Sequence, residues 1–291
     1  MNYRHQFHAG NFADVFKHAL LVRLVRALQR KDKGFLYLDT HAGRGRYDLA
    51  AAATGDSLAR RPEWPDGVGR LWQLPAGAIG EELAGYLERL REFDRRAGNL
   101  AGEPRFYPGS PALVHALARP VDRLALCELH PAECAALRAE FDGLRRVTVH
   151  EEDGYAALRA HLPPRERRAL VLIDPPFEAP DEFAQLAGAL AEGLRRFPSG
   201  TYAIWYPLTA RAKVEEFLNA IRNLQPPPTL AIELDVAGPD SAIKLKGCGL
   251  LVINPPWRFD VEADAIVDTL ADLLTQAPGG GGRIRWIVPE R

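Results

Sequence analysis

Between Asn11 and Arg30, apolar side chains recur at Phe12, Val15, Phe16, Ala19, Leu20, Leu24, Ala27 and Leu28, the three-and-four spacing of an amphipathic helix. Asn11 is placed to cap that helix, with Asp14 following three residues later, where exposed backbone N–H groups favour an acid. Lys17, Arg23, Arg26 and Arg30 would form its polar side. The period then changes. Residues 35–40, 123–128, 147–150, 169–173 and 201–206 are compact apolar runs, separated by helical patterns such as Pro131 to Phe141 and Phe183 to Arg196. Uninterrupted apolar strands alternating with helices predict a parallel sheet covered on both faces. From residue 229 the runs Thr229–Val236, Gly249–Ile253 and Ile284–Val288 predict an antiparallel edge added to that sheet, with Gly279 to Gly282 as a flexible linker before the last strand.

Residues 50–105 interrupt the alternation. Prolines, glycines and Trp64 punctuate them, and only Glu82 to Arg96 has a helical pattern. The expected division is a main α/β domain from 1–49 and 106–291, with a helical insertion subdomain over 50–105.

At 291 residues, with 26% charged and 47% hydrophobic, the chain has the composition of a globular domain with a sizeable core. Its formal net charge of −1 argues against a global basic field, but the total hides an uneven distribution. Residues 1–46 carry nine Lys or Arg against three acids, either a solvated helix face or a face that tracks phosphates. Three cysteines without a C-x-x-C pair support neither a disulfide framework nor a zinc site, so no metal is expected. No apolar run is long enough for a membrane span and the N-terminus has no signal core, which predicts a cytoplasmic protein. A monomer is expected, because no spare apolar stripe stands out.

In an open α/β sheet, ligands gather at the carboxyl ends of the strands. The first strand runs into Asp39-Thr-His41-Ala-Gly43-Arg-Gly45, a turn that lets the backbone approach a ligand closely. Asp48 stands where a pyrophosphate fingerprint needs its third glycine, which disfavours a dinucleotide. The second strand ends at Glu128, placed to accept ribose hydroxyls or to begin a helix-capping turn. After the third come Asp153 and Gly154, either a receiver for an adenine amine or a plain acidic turn. The fourth ends in Asp174-Pro-Pro-Phe177. Two prolines remove two N–H donors and leave carbonyls that only accept; Asp174 adds an acceptor and Phe177 a flat face. The loop therefore suits a planar base bearing an NH₂ group, stacked for about 1–3 kcal/mol. Acceptors on both N–H groups make such an amine more nucleophilic and stabilise the positive charge that develops on it. Its partner would be an electrophile strong enough to need no activation, such as a methyl sulfonium.

Asp39-x-x-x-Gly43-x-Gly45, Glu128, Asp153 and Asp174-Pro-Pro-Phe177, in that order, resemble the class I S-adenosylmethionine-dependent amino-methyltransferases. Tyr3-Arg-His-x-Phe-His-Ala-Gly-Asn11, Lys17-His18, Tyr107-Pro-Gly-Ser-Pro111, Trp205-Tyr-Pro207 and Trp286-Ile-Val-Pro-Glu290 narrow the resemblance to the bacterial 23S ribosomal RNA adenine-N6 methyltransferases, over nearly the whole chain. The resemblance implies a Rossmann-like fold with a small helical insertion and S-adenosylmethionine as cofactor. It implies that His18, His41, Gly43, Ser110, Glu128, Asp153, Gly154 and Asp174 line the cofactor site. Asp174 would be the catalytic acceptor with Phe177 beside it, and Tyr3 and Lys17 would contact 23S ribosomal RNA. Phe177 departs from the Tyr more usual in the wider class, so a phenol hydroxyl is dispensable there.

Three competing readings follow from the same residues: a DNA adenine-N6 methyltransferase, a protein glutamine methyltransferase, or a non-catalytic RNA-binding protein on a degenerate fold. Asp rather than Asn at 174 favours a nucleobase over a glutamine amide, and the intact glycine turn argues against degeneracy. Trp205-Tyr-Pro207 suits either the target-base pocket or the core. His115, His150 and His161 match no ligand spacing. Asn254-Pro-Pro-Trp257 repeats the proline turn eighty residues on, at the end of a strand expected to point away from the ligand edge, and is read as a strand terminator.

Overall fold

The computed structural model describes residues 7–51 and 61–290. Tyr3 lies outside the described residues. Nine helices and ten strands follow in chain order among those residues: α1 (Phe12–Gln29), β1 (Leu36–Asp39), β2 (Arg46–Asp48), α2 (Val68–Trp72), α3 (Glu81–Arg96), β3 (Phe106–Pro108), α4 (Ser110–Leu117), β4 (Arg123–Cys127), α5 (Pro131–Glu140), β5 (Val147–His150), α6 (Gly154–His161), β6 (Ala169–Ile173), α7 (Glu182–Arg196), β7 (Thr201–Pro207), α8 (Arg211–Asn223), β8 (Thr229–Asp235), β9 (Gly247–Ile253), α9 (Phe259–Leu274) and β10 (Gly281–Val288).

Eight strands form one sheet in the order β10-β8-β9-β7-β6-β1-β4-β5. The five from β7 to β5 run parallel, and β9, β8 and β10 extend the sheet antiparallel beyond β7. This is the expected α/β arrangement. Its cause is visible in the strand residues: Tyr37, Leu124, Leu126, Leu170 and Leu172 enter one core, while Leu36, Leu38, Ala125, Val171 and Ile173 enter the other. Alternate residues face opposite layers, so strands covered on both sides are apolar throughout. Helices α1, α4 and α9 cover the first face, and α6, α7 and α8 the second.

Two expectations need correction. Helix α1 is not amphipathic in the ordinary sense, because Asp14, Lys17 and His18 are buried along with its apolar residues. Its inner side meets the sheet, and α3 from the insertion packs against it from outside. The insertion's Leu71, Leu83, Tyr86, Leu87 and Leu90 belong to the same core as α1, so those helices are a further layer on the main body. The second correction concerns Gly281 and Gly282, which are strand residues of β10 paired with Asp235 and Leu234. A Cβ on Gly282 would stand 2.2 Å from Val267 Cγ1, so the glycine there admits α9 against the sheet. A short ribbon of β2 with β3 closes the base of the insertion and holds the glycine turn beside the start of α4.

Candidate active site

Strands β1, β4, β6 and β7 end along one rim of the sheet, and a cleft of about 950 Å³ opens there. His18, His41, Gly43, Ser110, Glu128, Asp153, Gly154, Asp174, Phe177 and Lys17 all line it. Sequence positions scattered over 160 residues thus converge because parallel strands place all their carboxyl ends on one side.

Between β1 and β4 the cleft is built from acceptors. Gly43 takes a left-handed φ of +62°, which turns its N–H onto Glu128 Oε2 at 2.9 Å. The N–H of His130 donates to Glu128 Oε1 at 2.7 Å. Two backbone donors therefore fix the carboxylate while each oxygen keeps a lone pair for a further donor. Burial raises the Glu128 pKa from its ordinary value, against those two hydrogen bonds. Asp153 caps α6 by accepting from the Ala156 N–H at 2.8 Å. Gly154 follows because nothing larger fits: a Cβ would lie 2.2 Å from the Thr40 carbonyl and 2.8 Å from the His41 ring.

His41 is held by its neighbour. The Thr40 hydroxyl donates to the Leu172 carbonyl at 3.1 Å, so across the 2.8 Å contact with His41 Nδ1 it accepts. That assigns the proton to Nδ1 and leaves Nε2 as an acceptor. Burial pushes the His41 pKa down to about 4, against the pull of Asp174 and Asp153, so the ring is neutral at pH 7. Beneath it, Asp39 is fully buried and accepts from the Tyr37 hydroxyl at 2.7 Å and the Ser110 hydroxyl at 2.6 Å. Burial drives its carboxyl up to about 6 although both hydroxyls favour the charged form. Ser110 reaches the site through this bond. His18 stacks on Tyr107, with its Nδ1 2.9 Å from the phenol oxygen, and Tyr107 continues to Tyr86 at 3.0 Å.

At the other end stands Asp174, directly after β6. Lys17 Nζ donates to Asp174 Oδ2 at 2.5 Å and to Asp14 Oδ1 at 2.9 Å. Lys17, read as an RNA contact, is only 5% exposed, and its charge is directed inward onto these two carboxylates. Burial lowers its pKa, but Asp14 and Asp174 outweigh that and hold it well above the ordinary lysine value. Asp174 Oδ1 has no partner among the described residues. Phe177 sits at a φ of +51°, a conformation that costs an aromatic residue about 1–3 kcal/mol. Its ring is braced by Phe183 at 4.9 Å and by the edge of Trp205 at 5.8 Å. The two uses considered for Trp205-Tyr-Pro207 divide by strand alternation. Trp205 and Pro207 line the cleft, while Tyr206 is buried and donates to Glu233 at 3.0 Å.

Asp14 and Thr40 line the cleft without having been picked as site residues, and Asp39, which opened the glycine-turn motif, lies beneath it. A signal existed for the first: an acid and a lysine one turn apart on a helix whose other early residues are apolar. Cys127, Glu152 and His161 form a further grouping hidden by spacing, with donor atoms within 4.8 Å of one another. Cys127 Sγ donates to Glu152 Oε1 at 3.3 Å, and His161 Nε2 meets the same oxygen at 2.7 Å. All three cysteines are buried and free. Among the described residues no helix is long and apolar enough to cross a membrane.

The family described as ribosomal RNA large subunit methyltransferase D, RlmJ, matches residues 32–288. Ribosomal RNA large subunit methyltransferase J of Escherichia coli K12 is 39% identical and that of Haemophilus influenzae 38%, in each case over the full length of both chains. A crystal structure of protein LPL1258 from Legionella pneumophila covers 96% of this chain and 98% of its own, with a TM-score of 0.82 at 35% identity.

Proposed function

The chain belongs to the ribosomal RNA large subunit methyltransferase D, RlmJ, family, and from that premise we propose that it is an S-adenosylmethionine-dependent enzyme methylating the exocyclic N6 amine of an adenine in 23S ribosomal RNA. The observation that carries the reading is the placement of Asp174 in one cleft with Glu128, Asp153 and the neutral His41. The donor set fits the cofactor: acidic groups and an imidazole acceptor face a ligand that is cationic, bears a ribose diol and lacks phosphate. In the wall between β1 and β4 the guanidinium of Arg44 is paired with Glu133 by two bonds of 2.8 and 2.6 Å, which offsets its charge there.

When bound, S-adenosylmethionine supplies a methyl group electrophilic enough to need no acid catalysis. Glu128 would receive the ribose hydroxyls, and Asp153 the adenine amine of the cofactor. Asp174 Oδ1 accepts one N–H of the target amine, while the proline carbonyls, which have no N–H of their own turn to satisfy, offer a second acceptor. That pair orients the nitrogen lone pair and stabilises the charge arising on it. Lys17 fixes the carboxylate from behind through Oδ2, so Asp174 is aimed before substrate arrives. Phe177 offers its face to the base, its own position fixed by Phe183 and Trp205.

Labelled methyl transfer to deproteinised 23S RNA tests the reading, with DNA and bulk protein as parallel acceptors. Label in RNA that digests to N6-methyladenosine is expected; label in DNA or protein alone would overturn it. Calorimetry should show S-adenosylmethionine binding, and no detectable heat would remove the enzyme reading altogether.

A further inference from the structure

On the opposite rim of the sheet lies a second concavity, of about 720 Å³. Arg123 opens β4, Arg145 and Arg146 immediately precede β5, and Arg165 stands in the connection between α6 and β6. Because these strands are parallel, their amino ends share this rim, and the four arginines line the depression together with Thr148 and Pro164. One carboxylate answers them. Glu166 accepts from Arg123 at 2.9 and 3.2 Å and from Arg165 at 3.1 Å. Four arginines against one glutamate leave a local charge of three in a chain whose total is −1. Arg145 and Arg146 are exposed and make no ion pair among the described residues; Asp142, in the same loop, is exposed as well.

The backbone at Arg146 is left-handed, with a φ of +68°, a conformation a side chain other than glycine adopts at some strain. Charged residues beside an edge strand can serve only to block edge-to-edge pairing, and β5 is the last strand of the sheet. That purpose would not gather Arg123 and Arg165 from β4 and the loop before β6 into the same depression. A concave, partly uncompensated group of guanidiniums instead matches the fork geometry that binds phosphate oxygens.

We propose that this depression binds the phosphodiester backbone of the RNA substrate, at a segment flanking the target adenine. The inference rests on the RNA reading of the catalytic cleft. A five-residue strand separates the two rims by roughly 16 Å, so at least about five nucleotides at about 3.4 Å each are needed to reach from one site to the other. The flanking segment therefore passes around the β5 edge, and the two sites hold one RNA at two points.

The test is the double variant Arg145→Gln/Arg146→Gln beside the wild type, with a long 23S transcript and a short hairpin carrying only the target adenine. Filter binding of the long transcript across a salt series should show the slope of log K against log salt reduced by about 1–2, since each lost cation–phosphate contact contributes about 0.7–0.9. KM for the long transcript should rise about tenfold, while kcat, S-adenosylmethionine affinity and kinetics on the short hairpin stay as in the wild type. An unchanged slope and KM would overturn the proposal, as would aggregation of the variant with an unchanged slope, which assigns the arginines to edge protection. If the double variant is poorly folded by its urea midpoint, Arg165→Gln, with its side chain 71% exposed, should lower the slope by about one. Failure of the catalytic reading would look different: a wild type that transfers no methyl group yet whose RNA binding still depends on Arg145 and Arg146.

Discussion

Asp174-Pro-Pro-Phe177 and Asn254-Pro-Pro-Trp257 are nearly the same string, and they end up at opposite rims of the sheet with opposite employment of their polar side chains. Asn254 spends both amide hydrogens on backbone, on the carbonyls of Pro198 at 2.7 Å and Gly200 at 2.8 Å. Its N–H goes to the Pro228 carbonyl and its own carbonyl accepts from the Thr201 hydroxyl. It sits at a φ of +52°, which asparagine tolerates better than most residues. Asp174 instead keeps one oxygen open to the cleft, and the left-handed residue of its turn is Phe177. Strand direction separates the two. Strand β6 runs parallel to β1, so Asp174 emerges beside the glycine turn; β9 runs antiparallel to β7, and Ile253 pairs with Tyr202 at the start of that strand. Of the two proline turns, only Asp174-Pro-Pro-Phe177 opens on the cleft.

The largest effects should follow that division. Asp174→Ala is expected to lower kcat for methyl transfer by at least 10²–10³-fold, the scale of losing one transition-state acceptor, with RNA and cofactor binding retained in filter and calorimetric assays. Asn254→Ala should leave kcat and KM untouched. It should reduce unfolding free energy in urea by about 1–3 kcal/mol, because two side-chain hydrogen bonds, one part-buried and one exposed, are lost at about 0.5–1.5 kcal/mol each. Retained turnover in the first variant, or lost turnover at full stability in the second, would exchange the roles of the two turns.

The next largest effect is electrical, because the cleft holds titrating groups while the Asn254 side chain is bonded only to backbone carbonyls. Asp39 has its folded pKa raised from 3.8 to about 6. Between those values the folded state keeps a proton that the unfolded chain has lost, so this group lowers stability as pH rises through the window, by up to about 3 kcal/mol. His41 has its folded pKa lowered from 6.5 to about 4. There the unfolded chain holds the extra proton, so stability is present above pH 6.5 and lost as pH falls toward 4, again by up to about 3 kcal/mol. In the wild type the two oppose each other. Urea unfolding at pH 4, 5, 6 and 7 should therefore show Asp39→Asn gaining on the wild type as pH rises, and His41→Asn losing ground over the same range. The difference for Asn254→Ala should be flat. Parallel curves for all three variants would mean that the cleft is no more electrically loaded than the Asn254 turn.

How much of this was readable beforehand varies with the distance over which the cause acts. The parallel strands were legible because burial on both faces leaves no polar residue in Leu170 to Ile173 or Leu124 to Cys127. The Asn11 cap was legible because its donor, the Asp14 N–H at 3.0 Å, is three residues away. Asp174 could be chosen over Asn254 from strand order alone. Strands β2 and β3 were not legible, since three residues are too few to show a period. Nor was the burial of Asp14, Lys17 and His18 on α1, against which α3 packs from an insertion some fifty residues later. The Lys17–Asp174 pair joins residues 157 apart in sequence, and no local pattern encodes it. For the same reason Lys17 read as a surface cation when its partner was out of sight.

The smallest expected effects concern the two aromatics, where the strings match most closely. Phe177 is clamped by Phe183 and Trp205 inside the cleft, whereas the Trp257 side chain is 72% exposed and its main company is Arg258, 5.5 Å over its ring. A stacking platform contributes about 1–3 kcal/mol per base, so Phe177→Ala should lower kcat/KM on RNA by roughly 5–150-fold. Phe177→Tyr should stay near wild type, since only the ring face is used. Trp257→Ala removes a larger side chain, yet one that buries little surface, and exposed sites away from packing shift stability by no more than about 0.5 kcal/mol. Its kcat/KM should match the wild type. A Trp257→Ala loss comparable to that of Phe177→Ala would place RNA on both turns at once, and the assignment of the second turn to strand termination alone would have to be withdrawn.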